Sequence, residues 1–139
     1  MYGLNSRLVK ENGKVVEKVW RSDGLYGKAI DKIIYWLEKA ESYAENPQQA
    51  EVIKKLVEFY NTCDWNTFDD NSFLWVKDTE SRLDFTNGFT ESYGDPLGMK
   101  ASWESIVNFK DIAATERTKK LSANAQGFED NSPVDVRFK

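Results

Sequence analysis

Three carboxylates, Asp84, Glu91 and Asp95, are interleaved with Asn87, Gly88 and Tyr93 in one segment that has no clear periodicity. Carboxylates beside exposed backbone can capture an ammonium, while a strand edge can take a peptide by β-addition. The same residues also read as a structural corner. Asp95-Pro96-Leu97-Gly98 fits a type I turn, with Asp first, Pro second and Gly fourth. Spacing alone leaves binding edge and structural turn both open.

Other chemistries are excluded or weak. The chain has 139 residues and no histidine, so neither Ser-His-Asp nor Cys-His activation is available within it. The only thiol, Cys63, cannot form an internal disulfide, which is compatible with a reducing, cytoplasmic compartment. Beside a helix start it reads as an activated thiol or as a plain, partly buried one. Asp64–Trp75, DWNTFDDNSFLW, has the Asp and Asn content of a calcium loop. It places Asp69 and Trp75 where an EF-hand needs Gly and Glu, so helix capping and a solvated face are expected. Trp36, Trp65, Trp75 and Trp103 could line a groove, but at helical spacing they are expected in the core. A net charge of -4 argues against a nucleic-acid partner, and no apolar run is long enough to span a bilayer.

The elements that would position these residues follow from local signals. Asn12-Gly13 lies between two strand-like runs in Ser6–Trp20, SRLVKENGKVVEKVW, which predicts a hairpin. After Asp23, the spacing of Tyr26, Ala29, Ile30, Ile33, Ile34, Leu37 and Ala40 predicts a helix. Asn46-Pro47 predicts an N-cap and first turn for a second helix burying Ala50, Ile53, Leu56, Val57 and Tyr60. Asp64 caps a third. Ser81–Tyr93 reads as extended. A fourth helix is expected from Ser102, with Trp103, Ile106, Val107, Ile112 and Ala113 on its apolar side, fading before Gly127. Alternating Val134, Val136 and Phe138 suggest a short terminal strand. The fold expected is α+β and mainly α, one domain over residues 1–139: an N-terminal β-hairpin, about four helices, and an extended segment before the last helix.

The stretch NGFTESYGDPLGMKASWESIVNFKD, Asn87–Asp111, resembles the dipeptidyl peptidase III family of zinc-dependent exopeptidases, especially its Bacteroidetes-type members. The similarity extends upstream through WVKDTESRLDF, KIIYWLEKAE and LNSRLVKENGKVVEKVW, and so covers essentially the whole chain. The resemblance implies a two-lobed enzyme, several times longer, that removes dipeptides from peptide N-termini across a wide cleft. Such enzymes bind zinc through a His-Glu-x-x-Gly-His motif and a Glu from a Glu-Glu-Cys-Arg type motif; neither occurs here. The chain is therefore expected to be an internal segment, without catalytic residues or metal ligands of its own, serving a zinc enzyme with peptide substrates.

Position by position, the resemblance places Asp84 where the family holds the substrate's N-terminal ammonium. Thr86 stands where many members have a substrate-contacting tyrosine, and Asn87 and Gly88 fall on the cleft-facing segment. With Glu91 these make the expected substrate-binding set. Tyr93, Asp95, Pro96 and Gly98 are expected to shape the passage between the lobes. A reading of another class remains, a stand-alone noncatalytic helical binding or interaction domain.

Overall fold

The computed structural model describes residues 4–138 and divides the chain into two compact units, 1–107 and 108–139. The first opens with strands β1 (Ser6–Glu11) and β2 (Lys14–Val19), which pair antiparallel from Ser6 opposite Val19 to Glu11 opposite Lys14. Asn12 and Gly13 both hold positive φ, 51° and 79°, as a tight type I′ connection requires.

Three helices follow: α1 (Gly27–Glu41), α2 (Pro47–Thr62) and α3 (Trp65–Lys77). Helix α1 begins later than its apolar spacing suggests. Gly24 and Gly27 make close turns against the backbone of Val19 and Ser22, where an added Cβ would lie 2.2 Å from a carbonyl oxygen. Tyr26, at φ 64°, is the N-cap and is exposed rather than buried. The second helix starts as its sequence indicates, with Asn46 Oδ1 accepting from the Gln49 N–H at 2.8 Å and Pro47 in the first turn. Cys63 ends α2 in the left-handed region, and Asp64 caps α3 by accepting from the Asn66 N–H.

Helix α2 is the centre of the unit, packed against both α1 and α3. Its Ile53, Leu56, Phe59 and Tyr60 join Ile30, Ile34 and Leu37 of α1, with Trp20 and Phe89, in one core. Phe59 sits on Phe68 of α3 with ring centroids 4.8 Å apart. The tryptophans depart from expectation. Trp20 is in the core, whereas Trp36, Trp65, Trp75 and Trp103 are all exposed. Helical spacing selected rings that border the core, because amphipathic indoles tolerate a partly wet setting.

The chain then enters β3 (Leu83–Glu91), which pairs with β4 (Ser102–Phe109) in a second two-stranded sheet. Here the expected fourth helix is corrected: Trp103, Ile106 and Val107 lie on a strand. A short apolar run fits either period, and β-branched Ile106-Val107 beside a waiting partner strand favours the ladder.

In the second unit, α4 (Ile112–Ala123) starts only after Asp111, whose Oδ1 accepts from the Ala114 N–H at 2.9 Å. A short helix α5 (Ala125–Asp130) contains Gly127. The terminal strand is also corrected. Val136–Phe138 forms a 3-10 turn, because Asp135 caps it, accepting from the Arg137 N–H and pairing with the Arg137 guanidinium. Local bonds win where no partner strand is present.

Candidate functional site

Strand β3 carries most of the candidate residues, and its two faces differ. Side chains alternate along a strand. Asp84 and Thr86 are exposed, while Phe85 is partly buried, Asn87 half-buried and Phe89 buried against the helices. The entry of the strand is fixed by the α1–α2 loop. Glu45 accepts from the Arg82 and Leu83 N–H groups at 3.0 and 2.6 Å, and Gln49 Nε2 donates to the Leu83 carbonyl at 2.8 Å. These backbone bonds, the one from Leu83 foremost, hold the Glu45 carboxyl below its ordinary range.

Asp84 Oδ1 accepts from Trp75 Nε1 of α3 at 2.7 Å. Its second oxygen has no partner among the described residues, so the carboxylate is oriented at one oxygen and open at the other. Thr86 follows on the same exposed face. Asn87 turns the other way. Its Oδ1 accepts from the Tyr60 hydroxyl at 2.6 Å, and that hydroxyl accepts from Trp103 Nε1 of β4 at 2.8 Å. Gly88 is buried; a Cβ there would meet carbons of Phe68 and Thr90 at 3.7 Å, ordinary contact. Glu91 is exposed at the strand's far end, seven positions and roughly 23 Å from Asp84 at the usual strand rise. The two carboxylates therefore do not share one site.

Beyond Glu91 the chain makes the corner. The Gly98 N–H donates to the Asp95 carbonyl at 2.8 Å, closing the turn over Pro96 and Leu97. Gly98, at φ 60°, reverses the chain so that the Met99 and Lys100 amides also reach Asp95 Oδ2, at 3.0 and 2.9 Å. With the Leu97 N–H on its other oxygen, Asp95 is held below the ordinary carboxylate range by backbone donors, those of Leu97 and Met99 first. Tyr93 donates a short hydrogen bond to Glu104 of β4, and that bond pushes the phenol above its usual value. Both residues are spent on holding the corner.

A cavity of about 320 Å³ lies on the inner side of β3, lined by Leu37, Tyr43, Ile53, Leu83, Phe85 and Val107 among others. Its lining is predominantly apolar, and its one carboxylate, Glu45, is taken by the Arg82 and Leu83 amides. Cys63 is no better candidate, because burial pushes its thiol up, away from the reactive thiolate. Among the described residues no three His, Cys, Asp or Glu side chains gather as a metal would need. With no histidine in the chain, its residues do not fit a zinc ion. No helix among the described residues is long and apolar enough to cross a membrane.

Spacing places Trp75, Tyr60 and Trp103 only in the core; the hydrogen bonds they make to Asp84 and Asn87 and to one another are not in that reading. The available signal was polar. A tyrosine on the apolar face of α2 must find a partner for its hydroxyl, and an indole near a carboxylate-bearing strand offers a donor.

Comparison with known proteins agrees in one direction. The model of peptidase family M49 matches residues 5–139. Dipeptidyl peptidase 3 of Dictyostelium discoideum is 30% identical over 115 residues, covering 83% of this chain and 17% of that protein. Dipeptidyl peptidase 3 of Mus musculus is 28% identical over 115 residues, covering 83% of this chain and 16% of its own length. The chain thus spans about a sixth of the length of these curated relatives. The solved structure of DPP III from Caldithrix abyssi superposes with a TM-score of 0.71 at 20% identity, covering 97% of this chain and 25% of that one. At that identity the likeness speaks for the fold.

Proposed function

The chain belongs to peptidase family M49, the dipeptidyl peptidase III family, and from that premise we propose that it is the segment that recognises a peptide's free N-terminus. The family is zinc-dependent and acts on peptides. Since this chain's residues do not fit zinc, no catalytic step is assigned to them; their contribution is binding and orientation.

Asp84 is the amine receptor. Its Oδ1 is occupied by the Trp75 indole, so Oδ2 takes the substrate ammonium in a charge-assisted hydrogen bond. Thr86, on the same face, lines the groove beside it with a smaller side chain than tyrosine. Asn87 and Gly88 continue the strand, and Glu91, at its far end, falls by the strand's alternation on the face away from Asp84. Tyr93, Asp95, Pro96 and Gly98 shape the corner that leads into β4. The observation that carries the reading is the oriented, half-open Asp84 carboxylate on the exposed face of β3, within a family match over nearly the whole chain.

The product of the complete reading frame is assayed for release of dialanine from a dialanyl-arylamide and from its N-acetyl form. The account expects cleavage of the free amine alone. Asp84→Asn keeps the acceptor for Trp75 and removes the charge; it should raise KM about tenfold, the equivalent of about 1.4 kcal/mol. Absence of hydrolysis would instead favour a noncatalytic binding domain, and an unchanged KM in Asp84→Asn would remove Asp84 from amine recognition.

A further inference from the structure

Tyr60 is 1% exposed, and on its packing alone a phenylalanine would serve, as it does at the adjacent Phe59. A phenol buried without a partner would be destabilising. This one is partnered on both sides: it donates to Asn87 Oδ1 at 2.6 Å and accepts from Trp103 Nε1 at 2.8 Å. One hydroxyl on α2 thereby joins the middle of β3 to the start of β4. Burial pushes its pKa up to about 12, so it remains a protonated donor throughout the neutral range.

The position of that bond gives it meaning. Besides the Trp75–Asp84 bond, side chains of α2 and of the loop before it hold β3 at two points. One is Leu83, whose N–H and carbonyl are taken by Glu45 and Gln49; the other is Asn87, taken by Tyr60. Asp84 and Thr86 lie between the two pegs, on the opposite face. A strand slip of one residue would invert every side chain on it. Two pegs four residues apart oppose both a slip and a local twist of the stretch that carries the carboxylate.

We propose that Tyr60 is a positioning residue for amine recognition, holding β3 through Asn87 so that Asp84 meets the N-terminal ammonium of a peptide at the right depth. This rests on the reading of Asp84 given above. Tyr60 touches no substrate; Trp103 supports it by filling the acceptor side of the hydroxyl.

The test uses the complete reading-frame product and two probes, dialanine and N-acetyldialanine. The readout is the ratio of their Kd values, measured well below the melting temperature. Asp84→Asn should collapse the preference for the free amine. Tyr60→Phe, which keeps the ring, should lower that preference at least threefold, and should lower it no further when added to Asp84→Asn. A wild-type ratio in Tyr60→Phe, with only a lower Tm, overturns the proposal, since a purely structural hydroxyl would change stability and leave selectivity alone. If Tyr60→Phe does not fold, Trp103→Phe at its exposed site reads the same ratio; a fall supports the proposal and an unchanged ratio overturns it. A wild-type ratio in Asp84→Asn defeats the reading of Asp84 and this inference with it. Loss of preference in Asp84→Asn alone defeats only the role of Tyr60.

Discussion

In the hairpin β1–β2 the turn carries the information: Asn12 and Gly13 adopt the left-handed conformations of a two-residue connection, and the ladder follows residue by residue. The hairpin β3–β4 is assembled from outside. Its strands are joined through the long corner Ser92–Ala101, its entry is gripped by Glu45 and Gln49, and its middle is held by Tyr60. Local chemistry builds the first ribbon, whereas a helical layer builds the second. The ribbon that depends on the helices is also the one that carries Asp84. On the proposed reading of Asp84, its carboxylate gains more from a rigid support than from a self-sufficient turn.

The contrast can be broken hardest at the helices. Phe59 is 2% exposed and contacts Tyr60, Trp65 and Phe68. Phe59→Ala should cost about 3–5 kcal/mol, read by urea unfolding, with β3 amides losing hydrogen-exchange protection along with α2 and α3. A smaller cut is Gln49→Ala. It removes the bond to the Leu83 carbonyl and the acceptor for the Glu45 N–H, so about 2 kcal/mol is expected. Exchange at the entry of β3 should rise, leaving the Asn12-Gly13 hairpin as it was.

The converse substitution is Gly13→Ala. Nothing lies within 4 Å of the added Cβ, so only the φ of 79° is strained, at about 1 kcal/mol. Exchange should rise in β1 and β2 and not in β3. Acid gives the smallest effect. Glu45 and Asp95 have folded pKa values lowered from their ordinary 4.5 and 3.8 by backbone donors. The unfolded chain therefore binds more protons near those values, and their contribution is fully present above them. It is lost as pH falls through the lower, folded values. Amide exchange at Leu83 and Lys100 should rise in that acid window, while Gly13, whose neighbour Glu11 pairs with Lys18, should respond less.

The same contrast explains what could be read from the residues. Asn12-Gly13, Asn46-Pro47, Asp64 and the Asp95-Pro96-Leu97-Gly98 corner act within a few positions of themselves, and each stands where its chemistry points. The elements that misled depend on partners distant in sequence or on competing local bonds. Strand β4 has helical-looking spacing until β3 is beside it, and Val136–Phe138 alternates like a strand until Asp135 caps it. Asp84 stands out by its place among the segment's carboxylates and by the resemblance, but its orientation was not legible. The Trp75 indole reaches it from α3, nine positions upstream, and Tyr60 reaches Asn87 from 27 positions away.

Carboxyl-carbon NMR of Asp84 during titration of the complete reading-frame product with dialanine tests the central claim most directly. The account predicts that the Asp84 resonance moves saturably with dialanine and stays still with N-acetyldialanine. Equal movement with both probes, or none with dialanine, would contradict it.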